Sequence, residues 1–380
     1  MADLKLTVGM AVYEDFANVW STVTALRLYH AEILPQLEII VVDNSPGTPE
    51  GERTKDFVEN WVAQTPGLGG AKYDTFTECN STAQPRNRVF ELASAPNVLV
   101  MDPHVMIEAE GLRRLMDFYD ATPGTMNLYG GALVYDDHHN VSTHFEDVWR
   151  SEMWGTWGTD SQYQYERTVE LERHPDGTVG IRTHRTEGPV FEVFGMGLGL
   201  FTCRKEAWLG FNPDFRGFGG EECYIHTKFR QAGRRCWCLP WLRWIHQFGR
   251  PGGVPYPLAV EDKFRNYVIG LSELKLPLAP AIDHFSQVLD NAKINGVLSE
   301  FGLDRDSALV TPMPTPGDPP MMMPGGPPMP PQGGEPMMRP DDHQIIQMMQ
   351  TQIQKMSMER DALREERDRA MGLLTEAQQP

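Results

Sequence analysis

Three short runs of apolar and β-branched residues stand out early in the chain, at residues 4–12, 37–42 and 98–101. The second and third are nearly continuous apolar runs, as expected for strands covered on both faces. Between them the period changes. Residues 18–34 place Val19, Val23, Leu26 and Ile33 at helical spacing and stop before Pro35. Residues 54–62 and 86–93 read as two further helices. Strands alternating with helices predict a parallel, doubly wound sheet with right-handed crossovers. Tyr13, Asp43 and Asp102 each follow one of the three strands. They therefore fall on the carboxyl edge of the sheet, where open α/β sheets bind ligands.

Further along, residues 108–119 read as a helix and 127–134 as a strand. From there to Val190 the pattern is loose, polar and rich in Trp149, Trp154, Trp157, Tyr163 and Tyr165. These aromatics could stack on a sugar or peptide, or form a small satellite core. His-Pro-Asp-Gly at 174–177 is a hairpin-turn signal. An apolar, glycine-rich stretch over 191–201 leads to the start of a helix at 204–208. A turn-rich loop from Gly210 to Gly220 feeds a helix over 223–232, and 236–245 is strand-like. His246 follows, in a glycine-flanked segment that could be a mobile lid. Two helices are expected between Pro251 and Leu309. Residues 311–340 hold 12 Pro, 5 Gly and 7 Met and no aromatic, the composition of a disordered linker. Over 341–375, Ile346, Met349, Ile353, Met356, Leu363, Ala370 and Leu374 follow three- and four-residue steps broken by Arg360 and Arg367. This reads as a weak coiled coil and homo-oligomerisation, with a single solvated helix as the alternative. The domain scheme is 1–250 catalytic, 251–310 helical extension, 311–340 linker and 341–375 coiled coil.

Composition narrows the partners. A formal net charge of −18 argues against nucleic acid or an anionic membrane as the main partner. A small anionic ligand needs only local positive charge or a metal. The five cysteines, at 79, 203, 223, 236 and 238, are odd in number and lack framework spacing, so free thiols in a reducing compartment are expected. Cys236 and Cys238 share one face of a strand and read as packed thiols. With no signal-like amino terminus and no apolar run long enough to span a membrane, the expectation is a soluble, cytoplasmic protein.

The candidate chemistry centres on Asp102 and His104. A carboxylate and an imidazole two residues apart at a strand's end suit a divalent ion such as Mn²⁺ (or Mg²⁺), which could hold a diphosphate; a turn capped by Asp102 is the alternative. No Gly-x-Gly-x-x-Gly follows the first strand and there is no P-loop, so metal and side chains would have to hold any phosphates. Glu221 and Glu222 begin a helix after Gly219-Gly220. They are either favourable charges at a helix amino terminus or a general base and a donor-sugar contact.

Together these residues resemble the family 2 type of GT-A glycosyltransferases. The resemblance rests on Tyr13-Glu14, Val41-Val42-Asp43-Asn44, Arg86-Asn87, Asp102-x-His104, Gly219-Gly220-Glu221-Glu222, Arg230-x-x-Gly233 and His246, in that order over residues 4–251. Asp-x-His with Gly-Gly-Glu and a late His most resembles the polypeptide N-acetylgalactosaminyltransferase branch. The resemblance implies a GT-A α/β fold with a mostly parallel central sheet. It implies Asp102, His104 and His246 as metal ligands, and Asp43, Tyr13 and Glu14 around the nucleoside. Arg86 would lie near the diphosphate, Arg250 could assist there, and Glu221 and Glu222 would face the acceptor. The Glu-Glu pair departs from the family's usual Glu-Asp and from the branch's Glu-Asn. This leaves open whether Glu222 is the base of an inverting displacement. No lectin repeat follows Pro251.

The implied function is transfer of a hexosyl or N-acetylhexosaminyl group from a nucleotide sugar, a UDP-sugar first, to a protein Ser/Thr or, second, to a glycan or lipid-linked acceptor. Two rivals remain: a non-catalytic sugar-nucleotide-binding scaffold that oligomerises through its carboxyl-terminal helix, and a metal-dependent nucleotidyltransferase.

Overall fold

In a computed structural model, described here for residues 3–173, 179–249 and 253–309, the expected alternation holds through the first hundred residues. Strand β1 (Leu6–Val12) is followed by α1 (Phe16–Tyr29) and a 3₁₀ turn (Ala31–Gln36) that contains Pro35. Strand β2 (Leu37–Asp43) leads to α2 (Pro49–Asp56), which continues as a π-helical turn (Phe57–Val62). Then come β3 (Gly70–Thr75), α3 (Ala83–Leu92) and β4 (Asn97–Met101). Every residue of β2 and β4 is buried, because helices cover both faces of the sheet; that is why these strands read as continuous apolar runs. Strand β3 went unread in the sequence. Gly-Ala-Lys-Tyr-Asp-Thr lies at the sheet's edge, is only half buried, and so carries no apolar run.

The order continues with β5 (Val105–Ile107), α4 (Gly111–Ala121), β6 (Leu128–Val134) and the two-residue β7 (Val141–Ser142). Two antiparallel hairpins fill the aromatic stretch. One is β8 (His144–Arg150) with β9 (Met153–Gly158); the other is β10 (Tyr165–Arg173) with β11 (Val179–Glu187). The turn expected at 174–177 lies outside the described residues. The two-residue β12 (Phe191–Glu192) and β13 (Leu200–Arg204) precede α5 (Glu222–Gln231) and β14 (Cys236–His246). The expected helix at 204–208 is one 3₁₀ turn, Lys205–Ala207. Among the described residues between Pro251 and Leu309 there are four helices rather than two: α6 (Val260–Glu273), α7 (Ala279–Phe285), α8 (Asn291–Glu300) and α9 (Arg305–Leu309). The linker and coiled coil expected beyond residue 310 lie outside the described residues.

The central sheet runs β12-β14-β6-β13-β4-β1-β2-β3. β4, β1, β2 and β3 are mutually parallel, as are β14 and β6, while β13 is antiparallel to both β4 and β6. The sheet is therefore mixed, with its parallel half built by the early βα units. Behind it, α6 to α9 pack with Phe145, Trp154 and Cys223 in a separate apolar cluster. Trp149 stacks on Trp154 and tilts against Tyr267. Of the two readings of the tryptophans, the satellite core holds for Trp149 and Trp154. Cys236 and Cys238 are both buried and all five thiols are free. Among the described residues, no helix is long and apolar enough to cross a membrane.

Candidate metal and nucleotide site

Strand β4 ends at Met101, and the backbone of Asp102 is held by a hydrogen bond from its N–H to the Gly199 carbonyl on the neighbouring chain segment. Gly199 leaves room for this approach: a Cβ there would press on the Trp244 ring and the His246 imidazole. His104 follows in the turn before β5. Strand β14 then pairs antiparallel with β5, setting His246 opposite Val105, and the Gln247 N–H donates to the His104 carbonyl. Backbone pairing alone thus brings together two histidines 142 residues apart.

The result is compact. His104 Nε2 lies 3.1 Å from His246 Nε2, with the rings edge to face. Asp102 Oδ2 lies 3.9 Å from each of these nitrogens. Ligands bound at ~2.1 Å stand about 3.0–3.4 Å apart in octahedral or tetrahedral geometry. The observed spacing is at or slightly beyond that range, so the three side chains fit one divalent ion with small adjustments. One carboxylate and two imidazoles suit a borderline metal such as Mn²⁺. Among the described residues this is the group of three His, Cys, Asp or Glu side chains able to share an ion.

Arg86 links this group to the second half of the chain. Its guanidinium, almost wholly buried on α3, donates to Asp102 Oδ1 at 2.8 Å and to Glu221 Oε1 at 3.4 Å. Glu221 also accepts from the Thr82 hydroxyl at 2.6 Å. Burial works against both charges. It is outweighed at Asp102, where Arg86 and the two imidazoles hold the carboxyl below the usual carboxylate range. The Asp102 and Glu221 carboxylates likewise keep Arg86 firmly protonated. Glu222 differs. Burial, with Glu221 beside it, pushes its carboxyl up to about 7, near the value that suits a general base.

A cavity of about 280 Å³ opens on Asp102 and His104, close to the size range of small-molecule sites. Tyr13 and Asn44 line it from the ends of β1 and β2, and Asn80 to Thr82 from the turn before α3. Phe218 and the Pro255-Tyr256-Pro257 segment cover the other side, their rings 5.6 Å apart. Asn44 organises this wall: its amide donates to the Cys79 carbonyl and accepts from the Ser81 N–H.

The other expected residues are placed as follows. Asp43 is fully buried and does not line the cavity. Its carboxylate accepts from the Ser45 N–H and hydroxyl and from the Tyr73 hydroxyl. It shapes the loop, and Asn44 faces the cavity in its place. Glu14 is exposed and does not line the cavity either; its N–H donates to Ser45 Oγ, and its backbone is left-handed (φ 46°). Arg250 lies outside the described residues. Glu221 and Glu222 stand beyond Arg86, away from the cavity lining. Asp15 and Thr82 were not legible in the sequence, since each acts on a residue far away in the chain.

No family model matches this sequence, and no curated protein matches it. Among solved structures, the chain is similar to GalNAc-T7 in a crystal structure with UDP, GalNAc and Mn²⁺, at a TM-score of 0.53 and 16% identity. The match covers 78% of this chain and 54% of that one. Looser matches are S. aureus TarS in complex with UDP-GlcNAc (TM-score 0.47, 12% identity, 81% and 82% covered) and the mannosyltransferase PcManGT from Pyrobaculum calidifontis in complex with GDP-Man and Mn²⁺ (0.41, 12%, 79% and 80%). At these identities the likeness is one of fold: the mixed α/β GT-A frame. The chain spans about half the length of GalNAc-T7.

Proposed function

We propose that this chain is a metal-dependent glycosyltransferase that moves a sugar from a nucleotide donor, a UDP-sugar first, to a hydroxyl acceptor. The observation that carries the reading is the convergence of Asp102, His104 and His246 on one point beside a nucleotide-sized cavity. The similar fold of GalNAc-T7, crystallised with UDP, GalNAc and Mn²⁺, supports the same donor class and ion here. The Asp-x-His pattern with Gly-Gly-Glu supports a protein Ser/Thr as the first acceptor to test, with a glycan hydroxyl second.

In this reading Tyr13 and Asn44 receive the nucleoside. Asp102, His104 and His246 would hold the ion, which when bound supplies Lewis acidity to the leaving diphosphate. Arg86 keeps Asp102 ionised and aimed. Glu221 is committed to Arg86 and Thr82, which leaves Glu222 to take the acceptor hydroxyl's proton. Its raised carboxyl supports that role in a single, inverting displacement.

The test is UDP release across a panel of UDP-sugars, with and without Mn²⁺, in wild type and Asp102→Ala. Release from one sugar that needs Mn²⁺ and is lost in the variant is the expected result. Full activity in Asp102→Ala, or equal release after chelation, would overturn the metal assignment.

A further inference from the structure

Asp15 occupies the N-cap position of α1, where an aspartate ordinarily accepts a backbone N–H of the first turn. It makes no such cap. One oxygen accepts from the Asn18 amide at 2.7 Å. The other lies 3.7 Å from His104 Nδ1, beyond hydrogen-bond length but within ion-pair reach. Asp15 also lines the cavity, and its side chain is only 14% exposed, so its field on the imidazole is poorly screened.

Its placement is built rather than incidental. Asp43 holds Ser45, and Ser45 Oγ accepts from the Glu14 N–H in the left-handed turn that delivers Asp15. Two turns further along the same face of α1, the Thr22 hydroxyl donates to the Pro103 and Val105 carbonyls and fixes the turn that carries His104. The amino-terminal half of α1 thus grips the His104 turn by its backbone and faces its ring with a carboxylate.

We infer that Asp15 is a positioning residue: it keeps the His104 proton on Nδ1 and so turns the Nε2 lone pair toward Asp102 and His246. A histidine that binds a metal ordinarily gives its other N–H to such an acceptor, and losing that acceptor typically weakens the metal 10–100-fold. The inference rests on the metal reading above and adds to it a residue that acts on the ion only through His104.

The experiment is Mn²⁺ titration of the full chain, followed by loss of the free-ion electron paramagnetic resonance signal, with and without UDP. Asp15→Ala should bind Mn²⁺ about 10–100-fold more weakly than wild type. Asp15→Asn, which keeps an acceptor of the same shape but no charge, should recover part of the loss. Asn18→Ala should change the affinity by less than about threefold, because it spares the oxygen that faces His104; a purely local structural role for Asp15 would instead make it behave like Asp15→Ala. Wild-type uptake of Mn²⁺ with unchanged affinity in both Asp15 variants would overturn this inference and leave the metal reading standing. No uptake by wild type, with or without UDP, would overturn both.

Discussion

Arg86→Met should be among the most damaging single changes in the described residues, and its cost should depend on pH in a defined direction. The guanidinium sits 2.8 Å from Asp102 and 3.4 Å from Glu221. At an effective dielectric constant of about 20 these contacts correspond to gross attractions of about 6 and 5 kcal/mol. Most of that offsets the desolvation of three buried charges. What remains on removing the shared partner is the penalty of uncompensated carboxylates, about 3–5 kcal/mol. For a unit of this size that lowers the melting temperature by roughly 6–10 °C. The sign with pH follows from the carboxyl groups. In wild type the depressed Asp102 carboxyl contributes stability above its unfolded pKa, and this is lost only as pH falls through its folded value. Without Arg86 the buried Asp102 carboxyl loses the charge that most favours its ionised form, so the variant's deficit is largest at pH 8 and shrinks toward pH 5 as Asp102 protonates. Guanidinium unfolding at both pH values reads it. Adding Asp102→Asn to Arg86→Met should restore part of the stability, because one of the stranded charges is gone. A deficit below about 1 kcal/mol, or one that does not change with pH, would refute the picture of Arg86 as the shared counter-charge.

Glu222→Gln should raise stability by ~1 kcal/mol or more at pH 8 and change little at pH 5, because a carboxyl raised to about 7 costs stability only where it must ionise; the same variant should lose glycosyl transfer, and a pH-independent stability effect would argue against the burial account. Gly131→Ala should destabilise by ~2 kcal/mol or more, since its Cβ would collide with the Leu242 carbonyl, a backbone atom that cannot move aside; calorimetry checks this. Truncation after Leu309 should leave the thermal transition of the remaining chain intact and lower the oligomeric state, and unchanged mass by light scattering would remove the role proposed for 341–375.

Residues that sit at the ends of buried strands were legible from the pattern itself, whereas His246, which meets His104 from 142 residues away, was named only through the family resemblance. The runs at β1, β2 and β4 announce themselves because both faces of those strands are covered. Asp102 and His104 are readable because both follow one of those strands within three residues. Edge strand β3 and the three-residue β5 are too polar or too short to leave a pattern. The family resemblance implies a nucleoside contact for Asp43, and the chain turns its carboxylate inward to Ser45 and Tyr73. A strand end marks the correct edge of the sheet without saying which of two consecutive side chains, Asp43 or Asn44, faces the ligand. Arg86 lines the cavity, and its guanidinium is engaged by two carboxylates, one of them 135 residues distant.

Strand β14 does not follow β6 in even steps. Leu239 pairs with Gly131 and Trp244 with Leu133, so five residue steps of one strand are set against two of the other. The excess is pinned, with the Trp244 indole donating to the Gly131 carbonyl and the Glu108 N–H donating to that of Arg243. His246 comes two residues later. Because successive strand residues alternate sides, a bulge one residue shorter or longer would offer Ile245 or Gln247 where the imidazole now stands. The third corner of the ion site is therefore specified by a length of chain. Related chains that keep this site should hold constant the number of residues between Leu239 and the histidine. In engineering the same holds: an insertion or deletion between these points should displace His246 from the candidate ion site more surely than most substitutions.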